Sequence, residues 1–135
     1  HPLFVHFPIA LLTLSVLFDF AGILFNREDL HRTSWWSHVA GVGGLILTLI
    51  TGLVAEGTVT IPSAALDRFE SHEELAFVVT AVFCGLLLWR IATRTNLPEK
   101  LRAVYLASAV VGVSLMLTGA WFGGEMVYTF GVGVK

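Results

Sequence analysis

The residues of this sequence that could do chemistry are histidines and carboxylates at the borders of long apolar stretches. His6 lies near the start of the first stretch, and His72 lies near the start of the third. If both stretches are helices that begin at the same level, the two imidazoles could bind one b-type haem iron from opposite sides. Together with His1 and a carboxylate, they could instead hold zinc or copper. Each histidine could also be an interfacial residue that only forms a hydrogen bond to a carboxylate or a helix end.

A second pair of ionisable residues, Asp19 and His38, lies within apolar sequence. A rise of 1.5 Å per residue places Asp19 about 9 Å inside the end of the first helix. His38 lies in the first turn of the second helix, at a similar level. Ionisable side chains inside a membrane are costly and are therefore candidates for function. The pair predicts either a proton-relay or quinone-contact site, or a structural hydrogen bond between two helices.

Four apolar stretches must position these residues. Of the 135 residues, 56% are hydrophobic and 13% are charged, whereas a soluble domain has about 25% charged residues. The stretches cover about residues 3–25, 35–55, 72–93 and 99–122, and each can cross a hydrocarbon core of about 30 Å. Backbone groups in lipid need internal partners, so each stretch is expected to be a helix. The sequence therefore predicts a single all-α domain, a four-helix transmembrane bundle.

Polar and small residues predict how these helices begin and pack. Ser34 is expected to cap the second helix, and Ser71 with Glu74 resembles a capping box before the third. Residues 64–69 could form a short helix on the surface. Small residues at packing positions favour close approach to other helices or to a flat cofactor; they are Gly41, Gly44, Gly52, Ser108, Gly112, Gly119 and Gly123.

The distribution of Lys and Arg predicts the orientation. The side with the 1–2 and 3–4 connections has six of them, and the opposite side has only Arg68 and Lys135. By the positive-inside rule, the first side is cytoplasmic, and both termini lie outside the inner membrane. The six Lys and Arg residues on the cytoplasmic side are Arg27, Arg32, Arg90, Arg94, Lys100 and Arg102. The outer side has His6 and His72 together with the carboxylates Glu56 and Glu125.

Several classes of function find no support in the sequence. There is no nucleophile–base arrangement, no phosphate-binding loop, and no basic run that would suggest nucleic acid. Cys84 is the single cysteine, which excludes a disulfide framework and covalent attachment of a c-type haem within this chain. The sequence opens on His1 rather than methionine, which indicates that it belongs to a longer or processed chain.

Both ends of the sequence carry extended motifs. HPLFVHFPIALL at residues 1–12 is similar to the pattern HPxxVHFPIALL, and GGEMVYTFGVGV at residues 123–134 is similar to GGxLVYxxGxGV. With these two patterns, the sequence resembles a bacterial family of predicted four-helix membrane proteins of unknown function. His72 at the start of the third helix also fits. The resemblance implies a four-span topology and association with respiratory or c-type cytochrome modules. Many relatives have a histidine where this chain has Phe130, so no ligand is expected there.

The leading hypothesis is a small b-type cytochrome-like subunit with one haem near the outer face, bound by His6 and His72. It would transfer electrons to or from a membrane or periplasmic partner, such as quinone or a c-type cytochrome, and would not be an enzyme by itself. One alternative is a cofactor-free accessory subunit of a larger membrane complex. Another is an extracytoplasmic metal-binding membrane protein.

Overall fold

Four long helices make up most of the described chain. The computed structural model describes residues 2–94 and 99–134. The helices are α1 (Pro2–Phe25), α2 (Glu28–Glu56), α3 (Leu66–Ala92) and α4 (Glu99–Tyr128). All four are long and apolar enough to cross a membrane, and the described ranges contain no strand. The predicted all-α, four-helix architecture is confirmed.

The turn between α1 and α2 is short because a left-handed residue reverses the chain. Asn26 has φ 50°, and Asn is among the residues that accept this conformation at a helix end. The Arg27 amide donates to the Gly22 carbonyl at 2.9 Å, and the Asn26 amide donates to Ile23 at 3.4 Å. These two bonds satisfy helix-end carbonyls in the pattern of a Schellman motif. The result is a tight antiparallel hairpin.

The four helices form two hairpins, α1–α2 and α3–α4, which pack side by side. The hairpins meet through α1 against α4 and through α2 against α3. α1 and α3 therefore lie on a diagonal of the bundle. We call the end where residues 26–27 join α1 to α2, and where α3 ends and α4 begins, the connection end. The opposite end, where α1 begins and α4 ends, is the terminal end.

The core is a stripe along each helix with spacings of three and four residues, as expected for one face of a helix. On α3 the stripe consists of Val79, Phe83, Leu86 and Arg90. Many large apolar side chains on the outside of the bundle remain exposed, which is typical of helices whose solvent is lipid. The buried hydrophobic cluster contains Leu12, Val16, Val42, Leu45, Val79, Phe83, Leu86, Tyr105, Ala109 and Met116.

Two helices begin earlier than their apolar stretches. α2 begins at Glu28. The acidic side chains of Glu28 and Asp29 in its first turn interact favourably with the positive end of the helix dipole. Ser34 is therefore inside α2, and the prediction that it caps this helix was wrong.

The predicted start of α3 was also wrong. The 3₁₀ turn Ser63–Ala65 leads directly into α3 at Leu66, so there is no separate surface helix. Ser71 lies inside α3, where its hydroxyl donates to the Asp67 carbonyl at 2.8 Å. A serine or threonine inside a helix commonly bonds the carbonyl one turn before it. Pro98, which suits the first turn of a helix, lies outside the described residues.

Candidate functional site: a buried ion-pair cluster

The connection end of the bundle contains a buried ion pair between α1 and α3. Arg90 Nη1 donates to Asp19 Oδ2 at 3.1 Å. Asp19 is 5% exposed and Arg90 is 3% exposed. Both residues continue the core stripes of their helices, so helix geometry turns them inward. Arg90 is thus part of the core at the connection end and is not one of the loop charges on that side.

All four helices contribute to this cluster. The same Nη1 also donates to the Ser34 hydroxyl of α2 at 3.0 Å and to the Tyr105 hydroxyl of α4 at 3.3 Å. Ser34 is in turn 3.2 Å from the Ser15 hydroxyl of α1. We call this set the ion-pair cluster; it consists of Ser15, Asp19, His31, Ser34, His38, Arg90 and Tyr105.

The guanidinium of Arg90 is also enclosed by aromatic rings. Its central carbon lies 5.5 Å from the Trp35 ring centroid and 5.8 Å from that of Tyr105. Cations at this distance are attracted to the ring face. Removing two charges from water costs several kcal/mol per ion, and the pair is stable only when geometry and further hydrogen bonds compensate. The serine hydroxyl, the tyrosine hydroxyl and the rings provide this compensation around Arg90.

His38 occupies the deep side of the cluster. Its Nε2 lies 3.1 Å from the Phe83 carbonyl oxygen, which can only accept, so Nε2 carries the proton. Its Nδ1 is then the acceptor for the Tyr105 hydroxyl at 3.3 Å. The predicted pair of Asp19 and His38 therefore belongs to one cluster, but the two residues are joined through Arg90 and Tyr105, and Arg90 is the ion partner of Asp19.

His31 occupies the outer side of the cluster and connects it to the surface. Its Nδ1 lies 3.3 Å from Asp19 Oδ1, and its side chain is 34% exposed. The ring packs against Gly22, where an added Cβ would lie 2.8 Å from His31 Cε1. A glycine one turn after Asp19 thus makes room for the imidazole. The hydrogen-bonded groups extend from partly exposed His31 through Asp19, Arg90 and Tyr105 to buried His38.

The histidines at the terminal end are arranged differently. His72 Nδ1 lies 2.7 Å from the Gly119 carbonyl oxygen, and its ring packs on Gly123, where an added Cβ would lie 3.1 Å from Cε1. His6 is exposed and lies on α1, across the diagonal from α3. His1 lies outside the described residues.

The two carboxylates predicted for the outer side also differ. Glu125 lies 3.0 Å from Arg68 Nε, and the Arg68 guanidinium stacks on the Phe122 ring at 5.0 Å. This pair ties the first turn of α3 to the end of α4. Glu56 is exposed. Within residues 2–94 and 99–134, no group of three or more His, Cys, Asp or Glu side chains converges as a metal site would require.

Sequence reasoning found Asp19 and His38 but missed Arg90, Tyr105, Ser34 and Ser15. A usable signal was present on α3, where Arg90 follows Phe83 and Leu86 at intervals of seven and four residues and so shares their face. Proximity to the end of an apolar stretch favoured a surface position instead. The side chain that neutralises a buried carboxylate depends on how the other helices are rotated, and rotation is not apparent from one helix alone.

Comparison with known proteins identifies the family of the chain. No curated protein and no solved structure matches it. A family model described as "Predicted membrane protein (DUF2231)" matches residues 1–135. This match agrees with the resemblance at the two ends of the sequence, and the chain belongs to this family of membrane proteins.

Proposed function

We propose that the ion-pair cluster takes up and releases a proton. The protein would then act in the bacterial inner membrane as a subunit whose function depends on this proton. The observation that carries this proposal is the hydrogen-bonded connection from partly exposed His31 to the buried carboxylate of Asp19. If the cluster only held the helices together, the ion pair would be sufficient and His31 would not be needed. A titratable imidazole at the mouth of the cluster gives a buried charge access to protons from one face of the membrane.

Asp19 and Arg90 together are neutral, so a further proton on the cluster would leave it with one net positive charge. The carboxylate of Asp19 balances the guanidinium of Arg90 through Oδ2, and its other oxygen, Oδ1, faces His31. A proton on His31 would be attracted by Asp19 and repelled by Arg90, whose Nη2 lies 3.5 Å from the His31 carbonyl oxygen. The connection ends at His38, because both of its ring nitrogens are already hydrogen-bonded. Nε2 is bonded to the Phe83 carbonyl and Nδ1 to the Tyr105 hydroxyl.

The proposed proton access is from the cytoplasm. With Arg90 placed in the core, Arg27, Arg32, Arg94, Lys100 and Arg102 remain as the positive charges near the connection end, against Arg68 and Lys135 near the other end. By the positive-inside rule, a five-to-two difference supports a cytoplasmic connection end, with both termini outside.

The test is nuclear magnetic resonance of the full chain in lipid nanodiscs, with ¹⁵N-labelled histidine and ¹³C-labelled aspartate. As the pH is lowered, the His31 ring is expected to gain its second proton, and the Asp19 carboxyl resonance is expected to shift at the same midpoint. In His31→Gln, this shift of the Asp19 resonance should be lost. His6→Gln is the matched control at the opposite end of the bundle and should leave it unchanged.

Two outcomes would refute the proton-linked role. One is an Asp19 resonance that stays constant while His31 titrates. The other is a His31 ring that remains in one protonation state throughout. With either result, the cluster would have only a structural role in holding the helices together. The favoured function would then be a cofactor-free accessory subunit of a larger membrane complex.

A second candidate function is electron transfer through a b-type haem at the terminal end. The observation that favours it is the bond between His72 Nδ1 and the Gly119 carbonyl. Histidines that bind metals usually donate one ring N–H in this way, which directs the lone pair of the other nitrogen to the metal. The second ligand would be His6, on the diagonally opposite helix, and the electron partner would be a membrane complex or a periplasmic c-type cytochrome.

An absorption spectrum of the purified protein tests the haem candidate. It predicts a Soret band that His72→Gln abolishes and that His31→Gln, at the other end of the bundle, leaves intact. A preparation without a Soret band after expression with ample haem supply would rule it out.

A further inference from the structure

The ion-pair cluster joins the two hairpins by hydrogen bonds at the connection end. Each helix packs most extensively on its own hairpin partner, and the contacts between the hairpins are sparser. Across that boundary, Arg90 of α3 donates to Asp19 of α1 at 3.1 Å and to Ser34 of α2 at 3.0 Å. His38 of α2 donates to the Phe83 carbonyl of α3 at 3.1 Å. The association of the hairpins at this end therefore depends on the charge state of the cluster.

The terminal end is held together in a different way. The contacts of His72 with Gly119 and of Arg68 with Glu125 lie within the α3–α4 hairpin. The chain itself joins the two hairpins there, through residues 57–65 between α2 and α3. Between the two ends, the buried hydrophobic cluster contains residues of both hairpins. The hairpins can therefore part at the connection end while the chain and the hydrophobic cluster keep the rest of the bundle together.

Asp19 has a cationic partner in the other hairpin and a titratable partner in its own. Its Oδ2 accepts from Arg90 of α3, and its Oδ1 faces Nδ1 of His31 at 3.3 Å. A proton on His31 would balance the Asp19 charge within the α1–α2 hairpin. Arg90 would then share its counter-charge with a second cation, and the two positive charges would repel each other.

We propose that proton uptake by His31 weakens the ion pair between the hairpins, and that the hairpins then separate at the connection end. This inference rests on the proposed function, because it assigns a consequence to the proton on His31. Arg90 is close to the end of α3 at Ala92, so its long side chain can extend to the polar interface when the hairpins part. Within its own hairpin it keeps the Tyr105 hydroxyl, at 3.3 Å.

The groups that face His31 come from the other three helices and from its own. On α1 it faces the carboxylate of Asp19, and on α3 Nη2 of Arg90 lies 3.5 Å from its carbonyl oxygen. On α4, the neutral hydroxyl of Tyr105 bonds Arg90. The neighbouring charges at the start of α2 are exposed, where water and salt screen them; they are Arg27, Glu28, Asp29 and Arg32. Asp19 and Arg90 therefore dominate the effect of a proton on His31.

The test is double electron–electron resonance between spin labels on the full chain, in lipid nanodiscs and a Cys84→Ala background. Leu24→Cys with Ile91→Cys measures the distance between α1 and α3 near the connection end, and Phe7→Cys with Leu66→Cys measures it near the terminal end; all four positions are exposed. Histidine changes its charge between about pH 8 and pH 5. Over this interval, the first distance is expected to lengthen by roughly 5 Å, the scale of a one-turn shift between packed elements. The second distance should stay constant, which also shows that the bundle remains folded.

Two substitutions of His31 test whether its proton controls the separation. His31→Gln removes the titratable ring and should keep the first distance short at both ends of the pH interval. His31→Lys carries a positive charge beside Asp19 throughout the interval and should show the longer distance already at the higher pH. Glu28→Gln, which changes an exposed carboxylate one turn earlier on α2, is the matched control and should leave the response to pH in place.

A histidine titration by nuclear magnetic resonance in the same nanodiscs separates this inference from the proposed function. If His31 and Asp19 titrate together while the distance between residues 24 and 91 stays constant, the hairpins do not separate and the proton-linked role stands. If the distance lengthens equally in His31→Gln, another group controls the contact, and the inference is overturned as well. A His31 ring that does not titrate would refute the proton-linked role itself, and the inference with it.

Discussion

At the scale of single residues, Tyr105 links the charged and uncharged parts of the ion-pair cluster. Its hydroxyl lies 3.3 Å from Arg90 Nη1, 3.3 Å from His38 Nδ1 and 3.5 Å from Asp19 Oδ2. It accepts from the guanidinium and has a single proton to donate. Without that hydroxyl, His38 Nδ1 would be a buried acceptor lacking a donor, and Arg90 would lose one of its contacts.

Tyr105→Phe is therefore expected to lower the free energy of unfolding by about 1–3 kcal/mol, the cost of unsatisfied buried polar groups. Equilibrium unfolding in mixed lipid–detergent micelles measures this loss. Tyr128→Phe makes the same substitution at a residue that is 91% exposed and should change stability little. Equal effects of the two substitutions would show that Tyr105 does not hold the cluster together.

At the scale of the helices, close approach depends on particular glycines rather than on glycine content. A Cβ at Gly41 would lie 2.7 Å from Leu12 Cδ2 and 2.8 Å from Leu12 Cγ, whereas a Cβ at Gly43 would meet nothing within 4 Å. Leu12 is fully buried and has little room to yield. Gly41 therefore sets the distance between α1 and α2, and Gly43 does not.

Gly41→Ala is expected to destabilise the bundle by about 1–3 kcal/mol through overpacking. Gly43→Ala is the matched control on the same helix and should be neutral or slightly stabilising, because Ala favours helix over Gly. Thermal unfolding of both variants, followed by circular dichroism, checks the difference. A Gly41→Ala variant as stable as Gly43→Ala would contradict the close packing of α1 on α2.

At the scale of the whole molecule, the number and kind of helices could be predicted from sequence, whereas the pairing of side chains could not. Apolar length predicts spans because lipid forces backbone groups to bond within a helix. The starts of α2 and α3 were misplaced because both helices continue into polar sequence, where hydropathy no longer marks them. Asp19 and His38 were recognised as unusual by their apolar surroundings. Their partners Arg90 and Tyr105 come from the other hairpin, and only the packing of the two hairpins brings them together.

The proposed orientation of the molecule predicts which connections face the cell exterior. In a Cys84→Ala background, Thr58→Cys in the α2–α3 connection should react with a membrane-impermeant maleimide in intact cells. Asn26→Cys in the α1–α2 turn should react only after the membrane is permeabilised. The reverse labelling pattern would place the connection end outside and would mean that the ion-pair cluster does not open to the cytoplasm.

The most direct test of the buried ion pair is the stability of variants of Asp19 and Arg90. The packing of the helices at the connection end and the proposed proton site both depend on this pair. Asp19→Asn leaves Arg90 charged and buried without its counter-charge, so we expect a loss of about 3–5 kcal/mol. The double variant Asp19→Leu/Arg90→Met removes both charges and should cost less than Asp19→Asn alone. Asp29→Asn, in the exposed pair with Arg27, should cost less than about 1 kcal/mol. If Asp19→Asn costs no more than Asp29→Asn, the buried ion pair does not exist as described.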